Sequence, residues 1–169
     1  MPKSRDIDDF NVVAVDASYK PVFGNLIQFY LYDMAAQSVF PVNSLGLYDY
    51  DMLDRFWEHP YLFYLNGEIV GFALVISHCP IRERSPCWFM AEFCVLRPYQ
   101  RRGLGSVALR SILENHSGDW EIAWLTGNAP AARFWRATLP SSGQRRNHVT
   151  FDANDWTSVS FTSQLGQEQ

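Results

Sequence analysis

Two hydrophobic periods alternate along this chain, one of two residues and one near 3.6, and their order predicts its elements. Asn11 to Val15 is a β-branched run after a polar leader and reads as a first strand. From Pro21 to Ser38 the residues Phe23, Leu26, Ile27, Tyr30 and Met34 fall on one helical face, with Pro21 in the first turn and Pro41 beyond the end. A shorter helix is predicted over Asp51 to His59, presenting Met52, Leu53, Phe56 and Trp57. Tyr61 to Leu65 and Glu68 to Ile76 then flank Asn66-Gly67, a dipeptide that marks a two-residue hairpin turn.

A polar loop, His78 to Pro86, leads into a central strand over Cys87 to Leu96, and Pro98 ends it because proline has no ladder N–H. A glycine-bearing turn follows, then a helix over Ser106 to Asn115 with Val107, Leu109, Ile112 and Leu113 at helical spacing. Gly118 and Asp119 break the chain, and Trp120 to Leu125 alternates as a strand. Its connection passes through a helix, so it is expected as the parallel neighbour of the central strand. Pro130 to Thr138 is the last predicted helix, with Asn128 as its cap. Pro140 to Asn147 reads as a polar turn region, and His148 to Phe151 with Thr157 to Phe161 as a closing antiparallel pair. The tail from Gln164 is expected to fray. No repeat, low-complexity tract or linker interrupts this order, which predicts one domain over residues 1–169 with a core of about 10–162.

Composition narrows the function classes. With 169 residues, 47% hydrophobic and 19% charged, the chain is long enough to bury a core and has a globular balance. A net charge of −4 gives no electrostatic reason to expect nucleic acid and suits a cationic or neutral small substrate. Cys79, Cys87 and Cys94 lack CxxC spacing, so neither a disulfide framework nor a zinc site is indicated. No run reaches transmembrane length and the N-terminus has no apolar core segment, so the expectation is a cytoplasmic chain with no membrane association.

Candidate chemistry centres on the turn Gln100-Arg101-Arg102-Gly103-Leu104-Gly105. Its glycines permit backbone conformations closed to other residues, and successive N–H groups at a helix start favour phosphate. Arg101 and Arg102 add charge at the rim. Composition alone leaves an ordinary tight turn equally open. The P-loop lysine is missing, as are three spaced glycines of the dinucleotide type, so nothing demands ATP or NAD. Glu92 is the one carboxylate in the apolar central strand. Burial would raise its pKa towards that of a general base, and a structural carboxylate paired to an arginine or capping a loop is the alternative. Leu47 to Asp51 brings aromatics and carboxylates that could hold a cationic amine or simply cap a helix. His59, His78, His116 and His148 share no motif, and Arg82 and Arg84 read as a solvated loop.

Val95-Leu96-Arg97-Pro98-Tyr99-Gln100-Arg101-Arg102-Gly103-Leu104-Gly105 resembles the acetyl-CoA signature of the GNAT acetyltransferase superfamily, and Asn128 to Trp135 resembles that family's second motif. The resemblance implies a mixed α+β fold: a three-layer αβα sandwich around a mostly antiparallel sheet, with the fourth and fifth strands splayed. It implies acetyl-CoA as acyl donor and no metal. The pyrophosphate would lie on Gln100, Arg101, Arg102, Gly103, Leu104, Gly105 and Ser106. A bulged fourth strand would offer the backbone of Cys94, Val95 and Leu96 to the pantetheine arm, with Asn128 beside it. Glu92 is the candidate base. Trp135 stands where many relatives carry a tyrosine that protonates the leaving thiolate, and it is expected as a pocket wall or core residue.

Two readings follow from the resemblance. One is an N-acetyltransferase acting on a primary amine of a small molecule or peptide. The other, motivated by Trp135, is a catalytically weak acyl-CoA-binding module serving as sensor or scaffold. A phosphate-binding regulator unrelated to acyl-CoA is left little room by the second motif. Aminoglycosides, polyamines, amino acids and protein N-termini stay open as acceptors, and the family makes a homodimer possible.

Overall fold

The structure is a computed structural model and describes residues 9–141 and 144–164. Its strands are Phe10–Ala14 (β1), His59–Leu65 (β2), Glu68–Ile76 (β3), Trp88–Val95 (β4), Gly118–Leu125 (β5), Arg145–Phe151 (β6) and Asn154–Ser163 (β7). Its helices are Lys20–Met34 (α1), Leu104–Asn115 (α2) and Ala129–Thr138 (α3). The strands form one sheet in the order β1-β2-β3-β4-β5-β7-β6. Neighbours run antiparallel except β4 and β5, which are parallel because α2 carries the chain back to the same end of the sheet. The predicted mixed α+β class and the parallel central pair are observed.

The hydrophobic pattern explains the layers. Phe23 and Ile27 of α1 pack with Leu62, Phe72, Leu74 and Cys94 on one face of the sheet. Leu104, Leu109 and Ile112 of α2 and Ala132 and Trp135 of α3 pack with Phe63, Trp120 and Ile122 on the other. At the β2–β3 turn Asn66 and Gly67 both have positive φ, 52° and 79°, as a primed hairpin turn requires. His116, after α2, is buried against the Tyr61 hydroxyl at 2.7 Å. Burial and neighbouring His59 push its pKa down to about 4, so the ring is neutral.

Several expectations need correction. The helix predicted over Asp51 to His59 is a run of turns that gives way to β2 at His59, and in it only Phe56 N to Met52 O makes an α-type hydrogen bond. A segment this short cannot offset helix nucleation by itself. Its charges face outward to tertiary partners instead: Asp54 meets Lys20 at 2.7 Å, and Glu58 accepts from the Ser77 amide and hydroxyl. Helix α1 ends at Met34, four residues before the predicted end, and β6 begins inside the predicted polar turn. Residues 165–169 of the predicted frayed tail lie outside the described residues.

The largest correction concerns the loop between β3 and β4. Cys79 and Cys87 form a disulfide, leaving Cys94 as the free, buried thiol. Spacing could not reveal it, because the bond depends on the two strand ends bringing the Cα atoms to 5.6 Å. It also bears on the cytoplasmic expectation, since cytosolic thiols are ordinarily kept reduced. Arg82 and Arg84 are not a solvated pair: Arg82 Nε lies 3.2 Å from Glu121 Oε2, and Arg84 bonds Asp119. Among the described residues no helix is long and apolar enough to cross a membrane.

Candidate active site

The site begins where β4 and β5 part. Only Trp88 with Trp120 and Phe89 with Glu121 are paired between these strands. Immediately beyond, the β3–β4 register jumps from Leu74 opposite Glu92 to Val75 opposite Met90, so Ala91 is one residue too many. Such a bulge bends its strand and increases its twist, and here it turns β4 away from β5. It also puts Ala91 and Glu92 on the same face. Met90 and Phe93 pack in the α2–α3 layer, whereas Ala91 packs on the α1 side, where Tyr50 reaches Glu92.

Downstream of the bulge the ladder to β3 is regular, and its alternation decides which backbone groups face the gap. Leu96 N donates to Val70 O at 2.8 Å, so Leu96 and Cys94 turn their backbone groups to β3. Phe93 and Val95 therefore point theirs towards the parted β5. Of the expected trio Cys94, Val95 and Leu96, only Val95 is free of β3, and its carbonyl accepts from Gln100 Nε2 at 2.8 Å. Gln100 thus braces the loop against the strand.

After a 3-10 turn over Arg97–Tyr99, Arg101 has φ 62° and Gly103 φ 80°, and α2 starts at Leu104. No side chain caps this start and its first turn holds no acid, so the Leu104, Gly105 and Ser106 amides have no side-chain partner there. Arg101 and Arg102 are exposed beside them, Arg102 lying 5.6 Å from the Tyr99 ring centre. An uncapped helix start flanked by two arginines fits a pyrophosphate. The two glycines have different reasons. A Cβ at Gly103 would meet open space, so its positive φ is what selects glycine. A Cβ at Gly105 would lie 2.8 Å from Phe134 Cε2, so Gly105 lets α2 and α3 close together.

Asn128 caps α3, its side chain accepting from Ala131 N at 3.1 Å. The cap uses the oxygen and leaves the amide nitrogen as donor. Trp135 is 7% exposed, in the core beside Phe93 and Phe134 at ring separations of 5.3 and 4.8 Å. A cleft of about 200 Å³ touches Gln37 and Ser38 after α1, Leu125 and Asn128 beside the gap, and Asn154 and Asp155 of β7.

Glu92 Oε1 accepts from the Tyr50 hydroxyl at 3.0 Å. Burial pushes the Glu92 pKa up to about 7, while hydrogen bonds from Tyr30 and Tyr50 oppose the rise. Burial and the neighbouring carboxylate also hold both tyrosines well above the usual phenol range, so they remain protonated donors. Burial, helped by Asp33 and Glu92, pushes the Cys94 thiol up to about 12, which leaves it a poor nucleophile.

The sequence singled out Glu92 and Tyr50 separately and missed Tyr30. The signal for Tyr30 was its place on the α1 face with Phe23 and Ile27, which turns that helix towards β4. Nothing in the pattern marked Glu121, buried one strand away. Among the described residues no group of three or more metal-ligating side chains converges.

Residues 29–139 match the family model for the acetyltransferase (GNAT) family. No curated protein matches the chain significantly in sequence. Among solved structures, the ribosomal-protein-S18-alanine N-acetyltransferase of Escherichia coli superposes with a TM-score of 0.60 at 15% identity, covering 94% of this chain and 97% of that one. An acetyltransferase from Thermus thermophilus superposes at 0.66 with 16% identity over 93% and 99% of the two chains. The spermidine N-acetyltransferase of Vibrio cholerae, in complex with CoA and spermine, superposes at 0.62 with 10% identity over 92% and 96%. At such identities the superpositions speak for the fold alone, and the family match speaks for descent: this chain belongs to the GNAT acetyltransferase family.

Proposed function

We propose that the protein transfers an acetyl group from acetyl-CoA to a primary amine of a small molecule or peptide. The observation that carries this reading is Glu92, a carboxylate with its pKa near neutrality, held by a tyrosine at the opening between β4 and β5. When bound, acetyl-CoA supplies an activated thioester acyl group. The amides of Leu104, Gly105 and Ser106, with Arg101 and Arg102, would hold its phosphates, and Val95 and Asn128 would face the pantetheine arm. Glu92, ionised in part near pH 7, takes a proton from the acceptor amine. Tyr50 keeps its carboxylate oriented. Trp135, being core, takes no part in proton transfer, and a thiol of ordinary acidity leaves without a strong acid.

The alternative of a silent acyl-CoA sensor is not favoured, since Trp135 has a packing role and the base position is filled. Calorimetry with acetyl-CoA, CoA and ATP tests the cofactor half. Micromolar binding of both CoA species without an ATP response supports the reading. Thiol release across an amine panel, with Glu92→Gln as control, tests the catalytic half, and no release with any amine would overturn it.

A further inference from the structure

Glu121 lies on β5 with 1% exposure, and the transfer chemistry above gives it no role. Among the described residues its Oε1 has no hydrogen-bond partner, and Oε2 meets Arg82 Nε at 3.2 Å without hydrogen-bond geometry. An arginine suited to a buried carboxylate offers two parallel N–H donors. Here neither oxygen of the carboxylate receives such a bond from Arg82.

Its neighbours repeat the pattern. Ser160 lies opposite Glu121, Ser158 opposite Ala123, and Asn147 opposite Ser158. The Oγ atoms of both serines and Asn147 Nδ2 are also buried without a hydrogen-bond partner among the described residues. Cross-strand partners share a face, so these groups form a polar row on the α1 side, the side of Glu92. On this face Ala91 and Ala123, small and partly exposed, lie between the two carboxylates and the buried Phe89 stands beside Glu121, while the opposite face carries Trp120, Trp124 and Phe93. Strand rise and spacing put Glu92 and Glu121 on the order of 10 Å apart.

We propose that Glu121, with the Ser158 and Ser160 hydroxyls, binds a second ammonium group of the acceptor, and that Arg82 is the counter-charge of this carboxylate until the acceptor arrives. The proposal rests on the reading of Glu92 as the site of the reacting amine. An ammonium offers three donors, and Glu121 Oε1, Ser158 Oγ and Ser160 Oγ offer three acceptors. Exchanging guanidinium for ammonium keeps the buried carboxylate neutralised throughout. Arg82, with a side chain 27% exposed, can turn to solvent. Arg84 is already paired with Asp119, which also accepts from Thr162, and Arg145, opposite Ser160, is exposed on the edge strand.

The test is calorimetric binding of linear diamines of graded length to the CoA-loaded protein, each against the monoamine of equal length, with acetyl transfer followed in parallel. One diamine length should bind roughly tenfold tighter than its monoamine. Arg82→Ala should widen that preference by removing the competitor, Ser160→Ala should narrow it, and Glu121→Gln should erase it, with monoamine affinity unchanged. If Glu121→Gln does not fold, the other two variants still decide. Equal affinities at every length, or a preference that Arg82→Ala reduces, overturn the proposal. Preference without transfer keeps this subsite and removes the transfer reading, whereas transfer without preference does the reverse.

Discussion

Tyr50 donates its hydroxyl hydrogen to Glu92 across 3.0 Å, although 42 residues separate them in the chain. The bond favours the ionised carboxylate against burial, so its loss should raise the Glu92 pKa further above about 7. A hydrogen bond to a charged group contributes about 1.5 kcal/mol or more. Tyr50→Phe should therefore shift the acid limb of kcat/KM to higher pH, with roughly tenfold less activity at pH 6.5 and little change on the alkaline plateau. An unmoved limb would mean that Tyr50 does not tune this carboxylate.

Glu92→Gln should lower kcat by roughly a hundredfold or more, the usual contribution of a positioned base. The same variant should change stability in a pH-dependent way. Glu92 has a folded pKa of about 7 against an ordinary value of 4.5, so its favourable contribution is complete below 4.5 and is lost as pH rises through 7. Across that window the wild type should lose about 3 kcal/mol relative to Glu92→Gln. Urea denaturation of both proteins at pH 4.5 and pH 8 measures the difference.

The two cradle glycines should separate binding from folding. Gly103→Ala places a side chain at φ 80°, a strain of about 1 kcal/mol with no clash, and should weaken acetyl-CoA binding more than stability. Gly105→Val drives carbon into Phe134 and should cost about 1–3 kcal/mol of stability. Calorimetry and denaturant midpoints on the two variants should rank them oppositely.

Reduction should destabilise the protein through the loop between β3 and β4. A bond closing eight residues of sequence contributes about 2.5 kcal/mol in the chain-entropy account. The denaturant midpoint should fall on adding a dithiol, and thiol titration of the unfolded chain should rise from one free cysteine to three. Three thiols before reduction would exclude the bond.

The hairpin turn, the start of α2 and the parallel central pair were legible because each depends on neighbours in sequence: Asn66-Gly67 for the turn, the glycine spacing for the helix start, the α2 periodicity for the crossover, whereas the place of β7 between β5 and β6 is set by long-range pairing. Glu92 was legible as the one carboxylate in an apolar strand. Its tyrosine bond was not, because Tyr50 reaches it only when α1 and the following turns fold over β4. The same holds for Cys79 with Cys87 and Arg82 with Glu121, pairs made by a loop that has no period of its own. The failed helix at Asp51 shows the limit of local pattern: its apolar positions suited a helix, but Asp54 and Glu58 were drawn to Lys20 and Ser77.

Ala91 is the surplus residue of β4, and it makes chain length rather than side-chain chemistry the determinant of the opening. Substituting Ala91 leaves the count intact, so a substitution scan would score the position as tolerant. Deleting it would straighten β4 and let its free edge zip onto β5, giving a more complete sheet with no slot. Such a deletion should yield a folded, harder protein that no longer takes up acetyl-CoA. Along this strand the fold gives up a stretch of hydrogen-bonded ladder, and the vacancy so kept is the part of the architecture open to chemistry.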